Sequence, residues 1–230
     1  MKISEKCKVI AAGTIAAGII VAALMAGTAL PALAISPAGC TSLAQIKEMN
    51  DDEEAQVQAL KAAIAKVNVK YDEVQRSWQF DSPIYDKADK NKTCCLSPWI
   101  YIFDGCKDVY FDEDFSYNGS SCIDLNTVYV RAGDNLYSYE CDPDYIDYAY
   151  DTDKKVWWAL SNFEIEPSEI DWLREMLSAK TIITRYSGAS GAQYDYTWTA
   201  DDRQAVTDMV NLYDLLVAAS PEVREKALRN

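Results

Sequence analysis

The sequence predicts an α+β domain: an antiparallel β-meander of about five to seven strands, with a long N-terminal helix and two C-terminal helices packed on it. Three observations carry this expectation. Apolar residues recur at helical spacing up to Trp78, and short aromatic or β-branched runs divided by turn residues fill the stretch from Trp99 to Asn162. A helix, a hairpin and a second helix then follow in the last third of the chain.

The chain begins with a lysine-fronted apolar leader. Lys2, Lys6 and Lys8 precede an apolar run from Val9 to Leu33, and Ala32-Leu33-Ala34 supplies the small residues of a cleavage site. Residues 1–34 therefore read as a signal peptide, cleaved after Ala34 or kept as an uncleaved anchor, because the run is long enough to cross a bilayer. A third outcome is lipidation at Cys40, where Ala38-Gly39-Cys40 resembles the end of a lipobox, although Pro37 stands where leucine is wanted. All three leave the remainder outside the cytoplasm, secreted or anchored at the cell surface, with membrane contact only through the N-terminal segment. Residues 35–41 read as a linker, 42–220 as one extracytoplasmic domain and 221–230 as a charged tail.

Residues 42–78 read as helix. Val57, Leu60, Ile64, Val67, Tyr71, Val74 and Trp78 repeat with alternating steps of three and four, and the opposite face is charged. The acidic run Asn50-Asp51-Asp52-Glu53-Glu54 interrupts any apolar stripe, so the helix starts or restarts there with its positive end complemented. Residues 79–94 are polar, contain Pro83 and read as a loop.

Strand signals follow. Trp99 to Phe103 precedes the turn pair Asp104-Gly105; Val109 to Phe111 follows, with Asn118-Gly119 as the next turn signal. Thr127 to Val130 and Leu136 to Tyr139 flank Gly133-Asp134-Asn135, and Tyr145 to Tyr150 and Val156 to Leu160 flank Asp151-Thr152-Asp153. Ser168 can cap a helix over 169–178 with Ile170, Leu173, Met176 and Leu177 on one face. Thr181 to Tyr186 and Tyr194 to Trp198 form a hairpin around Gly188 and Gly191. Thr199 and Asp202 make an acidic capping box for a helix running to about Ala218, which Pro221 ends.

Several of these segments together resemble a known family. They are Tyr71-Asp72-Glu73-Val74 running into Trp78, Ile170-Asp171-Trp172-Leu173, and Ala179 to Tyr186 with Tyr194-Asp195-Tyr196. Asp202-Arg203-Gln204-Ala205-Val206 before Leu212-Tyr213 completes the set. The chain resembles uncharacterised exported or membrane-anchored domains of Gram-positive bacteria over about residues 65–217. The resemblance implies the α+β order of elements and no activity; the cysteines depart from its pattern.

Composition narrows the function. Of 22 basic and 36 acidic residues, Lys2, Lys6, Lys8 and Glu5 lie in the leader, so the exported part carries a net charge of −16. Such a surface repels phosphate backbones, and nucleic acid is not an expected partner. Histidine is absent, which removes His-based triads, His-ligated catalytic zinc and the commonest general base. No nucleophile-elbow, Walker or dinucleotide glycine pattern occurs, so the sequence names no catalytic, cofactor-binding or metal residue. Asp142, Asp144 and Asp147, Asp151 and Asp153, and Asp112, Glu113 and Asp114 read as solvated turn residues rather than calcium loops.

Two sets of candidate residues are left. Cys40, Cys94, Cys95, Cys106, Cys122 and Cys141 are an even six in an exported domain and read as disulfide candidates, with Cys122 and Cys141 expected on neighbouring strands. The 15 tyrosines and 6 tryptophans are the compositional oddity. Tyr148, Tyr150, Trp157 and Trp158 are the candidate aromatic binding face, and the consecutive tryptophans must point to opposite sides of a sheet. The expected function is a non-enzymatic, exported binding protein for a protein or cell-envelope glycan. A structural envelope protein without a small ligand is the alternative, and a carboxylate-based hydrolase the remote one.

Overall fold

A computed structural model describes residues 53–91, 93–105, 107–167 and 169–229. The leader, the linker, Cys40, Cys106 and the Ser168 cap lie outside the described residues. The chain is α+β, with two antiparallel sheets of six and four strands and, among the described residues, five α-helices. In chain order they are α1 (Glu53–Ile64), β1 (Asn68–Asp72), β2 (Ser77–Asp81), α2 (Pro83–Asn91), β3 (Cys95–Phe103) and β4 (Tyr110–Gly119). Next come β5 (Leu125–Ala132), β6 (Asn135–Glu140), β7 (Ile146–Asp151), β8 (Val156–Glu164) and α3 (Ile170–Ser178). β9 (Ile182–Gly188), β10 (Gln193–Thr197), α4 (Ala200–Ala218) and α5 (Pro221–Leu228) complete the chain.

The expected single meander is instead two sheets. The larger runs β1-β2-β3-β4-β8-β7 and the smaller β10-β9-β5-β6. After β4 the chain leaves the first sheet, forms the β5–β6 hairpin in the second, and returns as β7–β8, with β8 pairing β4. The two sheets face one another through aromatic rings: Phe115 meets Tyr139 at 4.7 Å between centroids, and Tyr117 meets Tyr186 at 5.7 Å. Splitting the strands lets each sheet cover the other's apolar face, which one flat meander leaves to the helices alone.

Helix α4 covers the rest of the inner face of the larger sheet. Val206, Met209, Leu212 and Leu216 are buried along it, each contributing about 2 kcal/mol on leaving water. Tyr213 meets Phe111 edge to face at 5.4 Å. The predicted capping box is present: the Thr199 hydroxyl accepts from Asp202 N, and the Asp202 carboxylate accepts from Thr199 N. Pro221 ends α4 but also begins α5, capped by Ser220. Residues 221–228 are thus no tail: Val223 and Ala227 are buried, and buried Arg224 donates to the Leu216 and Lys107 carbonyls.

The long N-terminal helix is corrected in its second half. Helix α1 stops at Ile64, and the 68–81 segment is the β1–β2 hairpin. The seven-residue step from Tyr71 to Trp78, which imitates two helical turns, is a cross-strand pair with rings 4.9 Å apart. Asp72 closes the turn by accepting from Val74 N and Gln75 N, and Val74 is left 93% exposed. Asx-turn chemistry outweighs the helical spacing. The expected 79–94 loop holds the end of β2 and helix α2, with Pro83 at the helix start, where its missing N–H costs nothing.

The disulfide expectation also changes. Cys122 is exposed and carries no bridge, so the Cys122–Cys141 pairing is not present. Cys141 is buried, and Cys94 and Cys95 are buried free thiols. Cys94 accepts from Asn118 N at 3.2 Å, and burial pushes its thiol up to about 12.

A carboxyl is buried in the core without a partner. Glu113 of β4 is fully buried, and neither of its carboxyl oxygens has a hydrogen-bond partner. Burial, followed by Glu169, Asp114 and Asp112, pushes its carboxyl well above the usual range, so it folds as the neutral acid. A raised carboxyl stabilises the fold fully below its unfolded pKa, and that contribution is lost as pH rises through the folded value. Denaturant titrations should therefore show stability falling from mildly acidic to alkaline pH, and Glu113→Gln should flatten the fall. An identical pH slope in the variant would refute the assignment.

Candidate functional site

Period-two alternation on β3, β4 and β8 builds a second surface opposite the core. Phe111, Phe115 and Tyr117 point inward, so Tyr110, Asp112, Asp114, Ser116 and Asn118 point outward. Registry places Trp99 opposite Asp112, Ser97 opposite Asp114 and Tyr101 opposite Tyr110. On the other side, Glu164 stands opposite Asp112 and Asn162 opposite Asp114. From β2, Gln79 lies opposite Tyr101 and Ser77 opposite Phe103.

Of these, Ser77, Gln79, Trp99, Tyr101, Phe103, Asp112, Asp114 and Asn162 line a cleft of about 300 Å³ on the outer face of the larger sheet. Its acidic row consists of Asp112 and Asp114, about 7 Å apart along one strand, with Glu164 about 5 Å across from Asp112. Its aromatic wall is Trp99, Tyr101 and Phe103, with Tyr101 and Tyr110 stacked at 4.9 Å and nearly parallel. Phe103 stands edge-on to both tyrosines and is about half exposed.

The polar groups of the cleft are incompletely satisfied. Asp114 accepts from the Asn162 amide at 2.8 Å. The Trp99 indole N–H lies close enough to favour the Asp114 carboxylate, yet makes no hydrogen bond of ordinary geometry. Asp112 Oδ1, Ser77 Oγ and Ser97 Oγ are likewise buried and unpartnered. Buried polar atoms normally have partners, so the groups of Ser77, Trp99 and Asp112 in the lining, with Ser97 paired across from Asp114, are available to polar groups of a ligand. Desolvation, then Glu164 and Asp114, pushes the Asp112 carboxyl up to about 7.

Three of the four residues expected as the aromatic face share a side of the larger sheet. Tyr148, Tyr150 and Trp157 share one side of the β7 edge, whereas Trp158 is on the other, as alternation requires. Tyr148 is 66% exposed and Tyr150 packs on Trp157 at 5.2 Å. Trp158 is half-buried and lines a separate hollow of about 340 Å³ beside α2, with Tyr85, Cys95 and Lys154. The acidic turn residues serve the backbone: Asp142 accepts from Asp144 N, and Asp151 from Asp153 N and Lys154 N. Asp112-Glu113-Asp114 is the exception, since it lies in a central strand rather than a turn. The signal that could have found it is the alternation in Tyr110-Phe111-Asp112-Glu113-Asp114-Phe115, which puts two aspartates opposite two phenylalanines.

Among the described residues, no group of three acidic or cysteine side chains is placed to hold a metal ion, and no helix is long and apolar enough to cross a membrane. No protein-family model matches the chain, and no curated protein or solved structure is similar to it at a significant level.

Asp112 supplies a titration for this site. Its raised carboxyl stabilises the fold at acid pH, and that contribution is lost as pH rises through about 7. Asp112→Asn should raise the melting temperature at pH 8 while changing it little at pH 5. Equal shifts at both values would mean that the carboxyl is already ionised in mild acid.

Proposed function

We propose that this chain is an exported, non-enzymatic binding protein of the cell envelope that holds sugar units of a glycan in the cleft on its larger sheet. Export rests on the lysine-fronted leader, and the acidic surface argues against nucleic acid as the ligand. The observation that carries the binding assignment is the set of buried, unpartnered groups of Ser77, Trp99 and Asp112 beside a wall of aromatic rings. Flat rings offer contact area to an apolar sugar face at low entropic cost, while hydroxyl groups of the ligand can satisfy the stranded donors and acceptors. Such ligands are recognised by a few placed polar groups in an otherwise apolar hollow.

A glycan array probed with the full-length chain tests this. Binding should fall at least about tenfold in Trp99→Ala, the scale of losing one buried aromatic anchor. Tyr148→Ala, on the far side of the edge strand, should bind as the parent does. Loss of binding in both variants, or in neither, would overturn the placement in the cleft.

One observation favours a second reading. The Asp112 carboxyl, pushed up to about 7, stands beside Asp114 and Glu164, and a raised carboxyl with a second one at this separation suits a glycoside hydrolase. In that reading Asp112 is the general acid and Asp114 or Glu164 the nucleophile or base. Release of reducing ends from a bound array glycan, abolished in Asp112→Asn, would establish it; intact glycan after prolonged incubation keeps the chain a binder.

A further inference from the structure

We infer that the cleft selects a sugar bearing a free, positively charged amino group. This deepens the binding assignment and rests on it. The described lining residues include two carboxylates, with Glu164 next to Asp112, and no lysine or arginine. The arginine adjoining the rim, Arg76, is already held by Asp104. Asp112 faces Glu164 from β8, Asp114 from its own strand and Tyr101 and Trp99 from β3, so none of its neighbours brings positive charge. Like charges gathered on a partly desolvated floor repel one another, and a neutral ligand would bury that repulsion further.

A cation relieves it. An ammonium group between Asp112 and Asp114 gives both carboxylates a charged donor, and Asp112 Oδ1, which has no partner, acquires one. The buried hydroxyl of Ser77 is 1% exposed, unpartnered and part of the same lining, so a polar ligand group has a second fixed contact. Trp99 and Tyr101 then present ring faces beside the cation, where a desolvated contact is favourable. The stacked Tyr101–Tyr110 pair and Phe103 extend the platform enough to carry a pyranose ring rather than an isolated amine.

Titration calorimetry of the full-length chain at pH 7 compares a glucosamine tetramer with its fully N-acetylated counterpart. The free amine should bind about tenfold tighter or better, the scale of one desolvated cation–ring or ion-pair contact. Asp112→Asn and Asp114→Asn should remove that preference, and Glu164→Gln, at the exposed end of the row, should reduce it. Variants are compared only where their circular dichroism and melting match the parent, and the near-isosteric Glu164→Gln serves if either asparagine variant misfolds. Equal or tighter binding of the N-acetylated tetramer overturns the amino-sugar assignment but leaves the glycan site standing. Failure of both tetramers to bind overturns this inference alone if other array glycans bind through Trp99, and both assignments if none does. Tetralysine binding as tightly as the glucosamine tetramer overturns the restriction to sugars.

Discussion

Strand β4 is the constraint on which the rest depends. It is paired along both edges, to β3 and to β8, so its side chains cannot rotate away from the alternation of the sheet. Phe111, Phe115 and Tyr117 go to one side and meet Tyr213, Tyr139 and Tyr186, which belong to α4, β6 and β9. One strand thus joins the larger sheet to the smaller sheet and to the longest helix. Its other side carries Asp112 and Asp114 into the cleft, so core and site are two faces of the same ten residues. A one-residue slip of register would bury the aspartates and expose the phenylalanines, so core packing itself holds the acidic row in place.

Glu113 shows what the alternation costs. It shares the inward face with the phenylalanines and has no partner, yet it lies between the two outward aspartates. A negative charge there would add to the repulsion already felt by Asp112 and Asp114. Burial keeps Glu113 neutral, so the core contributes a carboxyl without contributing a charge, and the charge of the cleft is set by its outward residues. The nearby Tyr139, Ser161 and Trp172 also keep buried polar atoms without partners, which makes this the least satisfied part of the core.

Local features of the sequence translated directly where the interaction is local. The Thr199–Asp202 box, the turns at Asp104-Gly105 and Gly133-Asp134, and the strands on either side depend on residues within a few positions of one another. The departure of β5–β6 to a second sheet depends on which distant apolar face each hairpin finds, and no spacing within the hairpin encodes that. Tyr71 and Trp78 misled for a related reason: seven residues is two helical turns and also the reach of this hairpin. The cleft was hidden because its members come from β2, β3, β4 and β8 and meet only through registry. Asp112 and Asp114 look like ordinary acidic residues until Trp99 and Asn162 are placed beside them.

Cys94 and Cys95 complete the physical picture by packing rather than cross-linking. Cys94 and Cys95 are consecutive, and both are buried as thiols, Cys94 in the main core and Cys95 in a small cluster with Ile84, Ala88 and Ala205. Thiol oxidation proceeds through the thiolate, and burial raises both groups so far that almost none forms at neutral pH. They pack as small apolar side chains, and Cys94 adds a hydrogen bond with Asn118 beyond the end of the acidic row. Both thiols are therefore poor substrates for oxidation. The pairing of sheet on sheet and helix on sheet holds this part of the domain together, with no bridge from Cys94 or Cys95.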